Sequence, residues 1–347
     1  IGRLVGSEMC IRDRLITAAC SDDTVRIEQG IYFWENDTPE LTEDNRKALT
    51  NLKVEKLYIK VFEVDRLDGV NQPIAKSSLK LTPTDVENRE LVPCVYILDK
   101  VFIQSSKEEL DELAENVVHL TTKYLSEKLV EGTSVDGSEI QIDCDWSEKS
   151  QGNYFYFLRK VKKLSNWKVS CTLRLYPYKF HERMGVPPCD RAMLMCYNLL
   201  NPLKNPRKNT ILDVDEMSKY LDTDVQYPVP LDVALPVYSW MQCYDRDRFK
   251  GVIHGPTEQY ANLMKHDEGL WYHMTSDTVV SNIYVRKGDR IKIERVSQED
   301  LSRAIELIKS SGVLKGEAVF SYFHLNSQEL KFYGYEKLIA HTTRLSD

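Results

Sequence analysis

Two aspartates lie two residues apart in the stretch EIQIDCDW (139–146), where polar and apolar side chains alternate. This period of two is typical of a β-strand, so Gln141, Asp143 and Asp145 are expected to share one face. Two carboxyl groups this close resist joint ionisation, so one of them should hold its proton near neutral pH and act as a general acid. We expect Asp145, the outer acid, to donate the proton.

Three polar side chains in a row are costly to bury unless they are paired. Lys60 and Arg174 lie in neighbouring apolar runs and are the candidate cationic partners. The alternative is a structural ion-pair network at the end of the strands, without catalysis.

Eight short apolar runs alternate with amphipathic stretches, a pattern typical of parallel strands joined by helices. The runs cover residues 30–35, 54–64, 91–98, 139–146, 168–176, 192–199, 232–240 and 317–325. The pattern predicts an α/β fold, a single (β/α)8 TIM barrel over residues 30–347. A β-ribbon is inserted between strands 7 and 8 and contains a hairpin turn at Lys287–Asp289. An open doubly wound sheet is the alternative, but no GxGxxG follows the first run and no P-loop occurs.

Local signals predict where helices begin and end. The predicted starts are at Thr38–Pro39, Ser106 and Ser297, and the predicted ends are at Gly132 and Gly312. The barrel fold would place active-site residues at the carboxyl ends of the strands.

Three motifs resemble glycoside hydrolase family 18, the chitinase-like barrels. QIDCDW (141–146) resembles the family's alternating acids, which end in a proton-donating Glu. MCYN (195–198) resembles its Met-x-Tyr-Asp, and LPVYSW (235–240) resembles its Pro-x-Tyr. The resemblance covers the chain from Tyr32 to about Leu325 and implies a divergent relative of these barrels.

The resemblance also implies residue roles. Asp145 takes the place of the proton-donating Glu, Asp143 that of the middle acid and Gln141 that of the earlier one. In the family, the acetamido group of the substrate attacks the anomeric carbon, while the middle acid and the tyrosine stabilise that acetamido group. The resemblance assigns these two roles to Asp143 and Tyr197. In the other alignment Asp143 and Asp145 are the two acids, and the donor position falls on Ser147, which cannot serve.

The sequence departs from the family pattern at two further positions. Asn198 stands where the family has Asp. Ser321 lies near the position at which the family has a Trp that forms the floor of the sugar site.

Aromatic side chains near the strand ends are candidates for stacking on sugar rings. The predicted substrate-binding residues are Gln141, Asn198, Tyr238, Trp240, Arg174, Lys60 and Trp34. The alternative is that the aromatic residues are plain core. Solvent exposure is expected for Glu294 in the ribbon and for His181, His254, His266 and His273.

The composition excludes several classes of protein. A net charge of −7 gives no basic field for a nucleic acid. No Cys/His ligand spacing occurs, so neither a metal nor another cofactor is expected. Five cysteines lie inside apolar runs, where a free thiol behaves as a small hydrophobe. They are Cys94, Cys144, Cys171, Cys196 and Cys243.

The first residues carry two further resemblances. VGSEMCIRDR (5–14) resembles a translated sequencing adaptor, so residues 1–14 are expected to contribute nothing to the fold. LITAAC resembles the lipobox of bacterial lipoproteins, which predicts acylation at Cys20 and a lipobox remnant and tether over residues 15–29. The alternative is a surface cysteine in a frayed N-terminus.

Together these features favour a lipid-anchored protein of the bacterial cell envelope, at the outer membrane or cell surface. The predicted function is glycoside hydrolase-like action on a polysaccharide or glycoconjugate, by carboxylate acid/base catalysis, in a monomer. The alternative is a non-catalytic barrel that binds glycan or serves as a structural envelope module. Asp145 discriminates between them, because a binder tolerates that acid locked in a salt bridge.

Overall fold

The computed structural model of the 347-residue chain describes most residues from Val25 to Ser346. The described ranges are 25–35, 40–67, 70–75, 81–82, 85, 88–128, 139–221, 225–254, 257–280 and 283–346. Four of the predictions fall outside these ranges and remain predictions. They concern the adaptor-like segment (residues 1–14), the lipid site (Cys20), the helix start at Thr38–Pro39 and the helix end at Gly132.

The described strands alternate with helices along the chain. The strands are β1 (Arg26–Phe33), β2 (Lys56–Leu67), β3 (Val70–Ala75), β4 (Glu90–Ile97), β5 (Glu139–Asp143), β6 (Lys168–Arg174), β7 (Arg191–Met195), β8 (Leu231–Pro236), β9 (Ser239–Asp245), β10 (Arg248–His254), β11 (Met264–His266), β12 (Trp271–Met274), β13 (Thr278–Val280), β14 (Ile283–Val285), β15 (Arg290–Arg295) and β16 (Glu317–Phe323). The α-helices are α1 (Glu43–Asn51), α2 (Asp99–Gln104), α3 (Lys107–Lys128), α4 (Gln151–Ser165), α5 (Leu175–Lys179), α6 (His181–Met184), α7 (Val214–Leu221), α8 (Gln298–Ser311), α9 (Ser327–Tyr333) and α10 (Tyr335–Ser346). Two 3-10 turns cover Pro202–Lys204 and Glu258–Leu263.

Eight parallel strands close into a barrel. Their order is β1, β2, β4, β5, β6, β7, β8 and β16, and β16 pairs with β1 again. β3 pairs antiparallel with β2 outside this ring. The predicted (β/α)8 fold is confirmed.

Alternation along the strands separates two apolar regions. Ile140 and Ile142 of β5 are fully buried among side chains that pack between the barrel and its helices. Gln141 points to the other side, into the barrel interior, where Tyr32, Tyr58 and other side chains fill the space. The interior is therefore a packed core, as expected for this barrel.

Ion pairs close the amino-terminal end of the barrel. The Lys56 ammonium lies 2.7 Å from the Glu139 carboxylate, and Arg191 Nε lies 2.9 Å from Asp232 Oδ2. Lys56, Glu139 and Asp232 are each at most 5% exposed. Because these charges are paired, they can be buried, and the opposite end of the barrel is left for a site.

The segment between β8 and β16 forms an insertion. It contains an antiparallel sheet of order β10-β9-β15-β12-β11 and the separate pair β13–β14. The turn predicted at Lys287–Asp289 is present, but β14 and β15 on either side of it pair with other strands, so the predicted hairpin is wrong. The Asp289 carboxylate accepts from the Arg286 backbone N–H at 2.8 Å and pairs with Lys250 of β10 at 2.6 Å. These contacts hold the turn against the five-stranded sheet.

The predicted helix caps that lie within the described residues follow the sequence signals. Ser106 and Glu109 form the predicted capping box, with bonds of 2.8 and 3.2 Å, and Gly312 ends α8 at a φ of +61°. The predicted start at Thr38–Pro39 falls outside the described residues. Glu40–Thr42 are not helical, and the Thr42 hydroxyl accepts from Asn45 N at 3.1 Å, so it caps α1.

The cysteines of the described ranges are all free thiols. The five expected in the core are buried, while Cys189 is partly exposed, with its sulfur 3.4 Å from that of Cys171. Within the described ranges, no helix has the length and apolarity that crossing a bilayer requires. The same ranges contain no cluster of three His, Cys, Asp or Glu side chains that could hold a metal ion.

Candidate active site

The two aspartates lie at the carboxyl end of β5. Asp143 is the last residue of the strand, and its carboxylate accepts from the Thr172 hydroxyl at 2.6 Å. Asp145 lies two residues further on, with a side chain 62% exposed, and its Oδ1 is 3.3 Å from Arg174 Nε. The inner acid is therefore only partly exposed at the end of the strand, and the outer acid reaches solvent.

Partial burial changes the acidity of Asp143. Burial raises the pKa of its carboxyl to about 6, and the nearby charge of Asp145 adds to this increase. The hydrogen bond from Thr172 and the positive charges of Arg174 and Lys60 lower the pKa and only partly offset it. Asp143 therefore holds its proton up to about pH 6.

Asp143→Asn is expected to stabilise the fold above pH 6. The unfolded carboxyl has a pKa of about 3.9, so the folded state takes up the proton more readily and the charged form is disfavoured. The penalty is therefore full above pH 6 and disappears as the pH falls through 6 towards 4. Because solvent at the barrel mouth screens the charge, we expect a gain of about 1 to 3 kcal/mol at pH 7.5.

Urea unfolding of wild type and variant between pH 4 and 8 measures this difference. Asp215→Asn is the control, since Asp215 is an 80% exposed aspartate paired with Arg303 on the outer helices. Its effect should stay within about 0.5 kcal/mol. An Asp143→Asn protein that is equally stable or weaker at pH 7.5 would contradict the expectation.

The two predicted cations have different surroundings. Arg174 pairs with Asp145 and also donates to the backbone carbonyls of Tyr197 and Asn198, at 3.4 and 3.1 Å. Lys60 instead pairs with Glu63, at 3.0 Å. Its ammonium lies 5.5 Å from the centre of the Trp34 ring, a cation–π distance. Arg174 is thus the cation that meets the acids directly.

Gln141 lies in the barrel interior, too deep to contact a substrate at the mouth. It is 1% exposed, its Oε1 accepts from the Tyr32 hydroxyl at 2.6 Å, and its Nε2 is 3.4 Å from Ser170 Oγ. The predicted inward direction is correct, but the side chain lies one layer below Asp143 and is enclosed by the barrel. Its predicted contact with substrate is therefore wrong.

Tyr197 and Asn198 follow β7. Tyr197 is 3% exposed, and its hydroxyl lies 3.6 Å from Met195 Sδ. Asn198 has a φ of +53°, and its side-chain oxygen accepts from the Tyr238 hydroxyl at 2.8 Å. The bond from Tyr238 fixes the loop after β7 at the barrel mouth.

The aromatic floor of the mouth is Phe323, which the sequence argument missed. Its ring centre lies 5.3 Å from that of Tyr197 and 5.7 Å from that of Trp34. Ser321 is fully buried in the interior, where a β-carbon on Gly30 would lie 2.1 Å from its hydroxyl oxygen. The placement of Ser321 at the floor is wrong because it lies one inward step below the strand end.

The insertion reaches the mouth through Trp240. Its indole N–H donates to Glu294 Oε2 at 2.8 Å, and the Thr210 hydroxyl donates to the same oxygen at 2.7 Å. Glu294 is fully buried and pairs with Lys292, so its expected exposure is wrong. The reason is that Lys292, two residues away on the same face of β15, enters the interface together with Glu294.

Two histidines lie beside this contact. The His254 ring is 6.0 Å from that of Trp240 and is exposed to solvent, as expected, although partial desolvation lowers its pKa. His324 directly follows Phe323, and burial lowers its pKa to about 4. The His324 imidazole is therefore neutral at pH 7 and adds no charge to the mouth.

Comparisons with known proteins place this geometry in a class of folds. No family model matches the chain. The spore cortex-lytic enzyme SleL of Bacillus cereus is similar over 92% of this chain and 75% of its own, with 13% identity and a TM-score of 0.54. The Ostrinia furnacalis Group IV chitinase is similar over 94% of this chain and all of its own, with 12% identity and a TM-score of 0.51. A Chromobacterium violaceum chitinase is similar over 92% of this chain and 98% of its own, with 14% identity and a TM-score of 0.50.

At these identities the similarity concerns the fold. The chain has the (β/α)8 fold found in chitinase-like glycosidase barrels.

Proposed function

We propose that this protein is a glycoside hydrolase-like barrel that acts on a polysaccharide or glycoconjugate through Asp143 and Asp145. The observation that carries the proposal is the contrast between the two acids. Asp143 is only partly exposed and has a pKa raised to about 6, whereas Asp145 lies at the open end and is 62% exposed. Paired carboxyl groups in unlike environments are the groups that glycoside hydrolysis requires.

In this proposal the two acids divide the work. Asp145 contacts the glycosidic oxygen and, in its protonated form, delivers the proton as the bond to the anomeric carbon breaks. A water molecule supplies the oxygen that bonds to that carbon, and the proton it releases returns to Asp145. Below about pH 6, Asp143 is neutral. Asp145 can then give up its proton without forming a carboxylate beside a second negative charge. Arg174 holds Asp145 in place while the mouth is empty.

The surroundings of the acids suit a sugar. Trp34, Trp240 and Phe323 are partly exposed around the mouth and offer flat apolar faces. The side chain of Arg174, which is 30% exposed, supplies hydrogen-bond donors. The cortex-lytic enzyme and the two chitinases share the barrel fold, which supports the same class of substrate for this chain.

A non-catalytic glycan-binding barrel is the second candidate. It is favoured by the ion pair between Asp145 and Arg174, and by the Tyr197 hydroxyl, which faces Met195 inside the barrel. A binder needs no free proton donor, so it tolerates both contacts.

Incubation with a panel of N-acetylated, neutral and acidic oligosaccharides, at pH 5 and pH 7, distinguishes the two candidates. New reducing ends, detected by mass spectrometry of the products, support the hydrolase. A protein that binds an oligosaccharide of the panel but cleaves none supports the binder.

We also propose that Cys20 is acylated and anchors the protein in the cell envelope, as its lipobox-like surroundings suggest. A Cys20→Ser variant, expressed behind a bacterial lipoprotein signal peptide, is expected to move from the membrane fraction to the soluble fraction. Several acyl chains hold a protein firmly, and the variant would carry none. Cys189→Ser is the control and should stay with the membrane. Unchanged membrane partitioning of Cys20→Ser would refute the anchor.

A further inference from the structure

A second concave site lies between the loop after β7 and the inserted sheet. It has a volume of about 780 Å³, and its walls include Pro206, Tyr244 and Trp271. None of its lining residues belongs to the barrel mouth described above. We call this cavity the insertion groove.

Aromatic rings form one wall of the insertion groove. The Trp271 indole N–H donates to the Pro206 carbonyl at 2.9 Å, which fixes the orientation of its ring. The Tyr244 ring centre lies 5.3 Å from that of Trp271, and the Arg290 guanidinium stacks 4.2 Å above the indole. The rings are therefore preorganised, with Arg290 covering one face of the indole and the rest of the partly exposed ring left for a ligand.

Three guanidinium groups converge in the insertion groove. Within the described residues, Arg207 and Arg246 have no carboxylate at ion-pair distance. Arg290 has its nearest carboxylate at 3.8 Å, on Asp247, whose side chain is 99% exposed. Because Asp247 and Glu268 share the lining with the three arginines, the groove carries a net charge of +1, against −7 for the whole chain.

The insertion groove also contains acceptors. The carboxylates of Asp247 and Glu268 also line it, with Asp247 3.8 Å from Arg290. A ligand that suits all of these groups carries both negative charges and hydroxyl donors, and it has an apolar face for the rings. A uronic acid has this combination, because its ring bears a carboxylate and several hydroxyls.

We propose that the insertion groove binds a carboxylate-bearing oligosaccharide, with Arg207, Arg246 and Arg290 on the carboxylates and Trp271 under a sugar ring. The glycan class rests on the proposed function, and the charge of the ligand follows from the groove itself. The groove would hold an acidic part of the same chain or glycoconjugate outside the barrel mouth, which makes an acidic glycan the substrate class.

Calorimetric titration with a hexamer of galacturonic acid tests this site. Arg290→Gln, and separately the double variant Arg207→Gln/Arg246→Gln, are expected to weaken binding about tenfold or more. Each removes charge-assisted hydrogen bonds to carboxylates. Arg159→Gln is the matched control, since it removes the same charge from the exposed side of α4 and should leave the affinity unchanged.

Trp271→Phe and Trp271→Ala test whether the aromatic face of Trp271 serves as a platform for a sugar ring or only supports the fold. The phenylalanine variant keeps an aromatic face and should bind within a few-fold of wild type, whereas the alanine variant should lose about tenfold or more. Circular dichroism and thermal unfolding verify that each variant is folded. Equal binding by wild type and by folded Trp271→Ala would overturn the platform.

Two further ligands complete the test. A hexamer of N-acetylglucosamine is neutral, and poly-glutamate has the charge without the sugar. Binding of either that is as tight as that of the galacturonate hexamer and is weakened by Arg290→Gln would overturn the proposal, as would no galacturonate binding at all. Asp145→Asn should bind the hexamer like wild type, so failure of hydrolysis at the mouth and failure of this groove are separate outcomes.

Discussion

Asp145→Asn is expected to lower the rate of glycan hydrolysis by about 100- to 10,000-fold, the usual effect of losing a general acid. Asn is nearly isosteric with Asp and can still accept from Arg174, so the loop after β5 should keep its shape. What it lacks is the proton that the leaving sugar oxygen needs. The measurement is the initial rate of product release at about pH 5.5, on any glycan that the wild type cleaves.

Asp215→Asn is again the matched control, because Asp215 is also an exposed aspartate in an ion pair with an arginine. It lies on the outer helices and should leave the rate unchanged. Activity of Asp145→Asn within a few-fold of wild type would remove Asp145 from the role of proton donor. It would leave Asp143 as the remaining acid at the mouth.

The pH dependence adds a second readout of the same chemistry. If catalysis needs neutral Asp143, the rate should be highest below about pH 6 and fall as that carboxyl ionises above it. In Asp143→Asn this fall should be absent, because the amide does not titrate. The pH profile therefore distinguishes an effect of ionisation from a general loss of structure.

The barrel could be predicted from the sequence because its signals are local. The alternation of Ile140 and Ile142 with Gln141 and Asp143 reports which side of β5 faces the helices, and the structure retains that division. Capping residues such as Ser106 and Glu109 act within one helical turn. Such patterns do not depend on contacts with distant parts of the chain.

Depth within the barrel could not be predicted in the same way. Gln141, Asp143 and Asp145 share a face, yet one is enclosed, one is at the edge and one is exposed, because the strand crosses the whole height of the barrel. Phe323 was missed although the same alternation, followed two residues beyond Ser321, reaches it. Direction follows from a period of two, whereas height requires the register between strands.

Burial of Glu294 depended on groups that are distant in sequence. Its Oε2 accepts from Thr210 in the loop after β7 and from Trp240 on β9. A local signal existed, since the alternation in RIKIER (290–295) puts Lys292 and Glu294 on one face. The sequence does not show the loop that covers this face, however, and two charged side chains without a partner predict exposure to solvent.

The buried pair gives the prediction with the largest expected effect on stability. Lys292 and Glu294 are both fully buried, and Lys292 also donates to the Asn205 carbonyl at 2.9 Å. Lys292→Met leaves the Glu294 carboxylate in the interface without its cation. We expect this to cost about 3 to 5 kcal/mol of folding stability, measured by urea unfolding at pH 7.

The double variant Lys292→Met/Glu294→Gln tests the cause. Its glutamine is neutral and can still accept from Thr210 and Trp240, so most of the lost stability should return. Lys123→Met is the surface control, because Lys123 and its partner Glu127 are both 56% exposed, and it should cost no more than about 0.5 kcal/mol. A double variant as unstable as Lys292→Met would show that lost packing, rather than the unpaired carboxylate, is the cause. Since Glu294 joins Trp240 to the loop after β7, the single variant should also weaken glycan binding at the mouth while the double variant restores it.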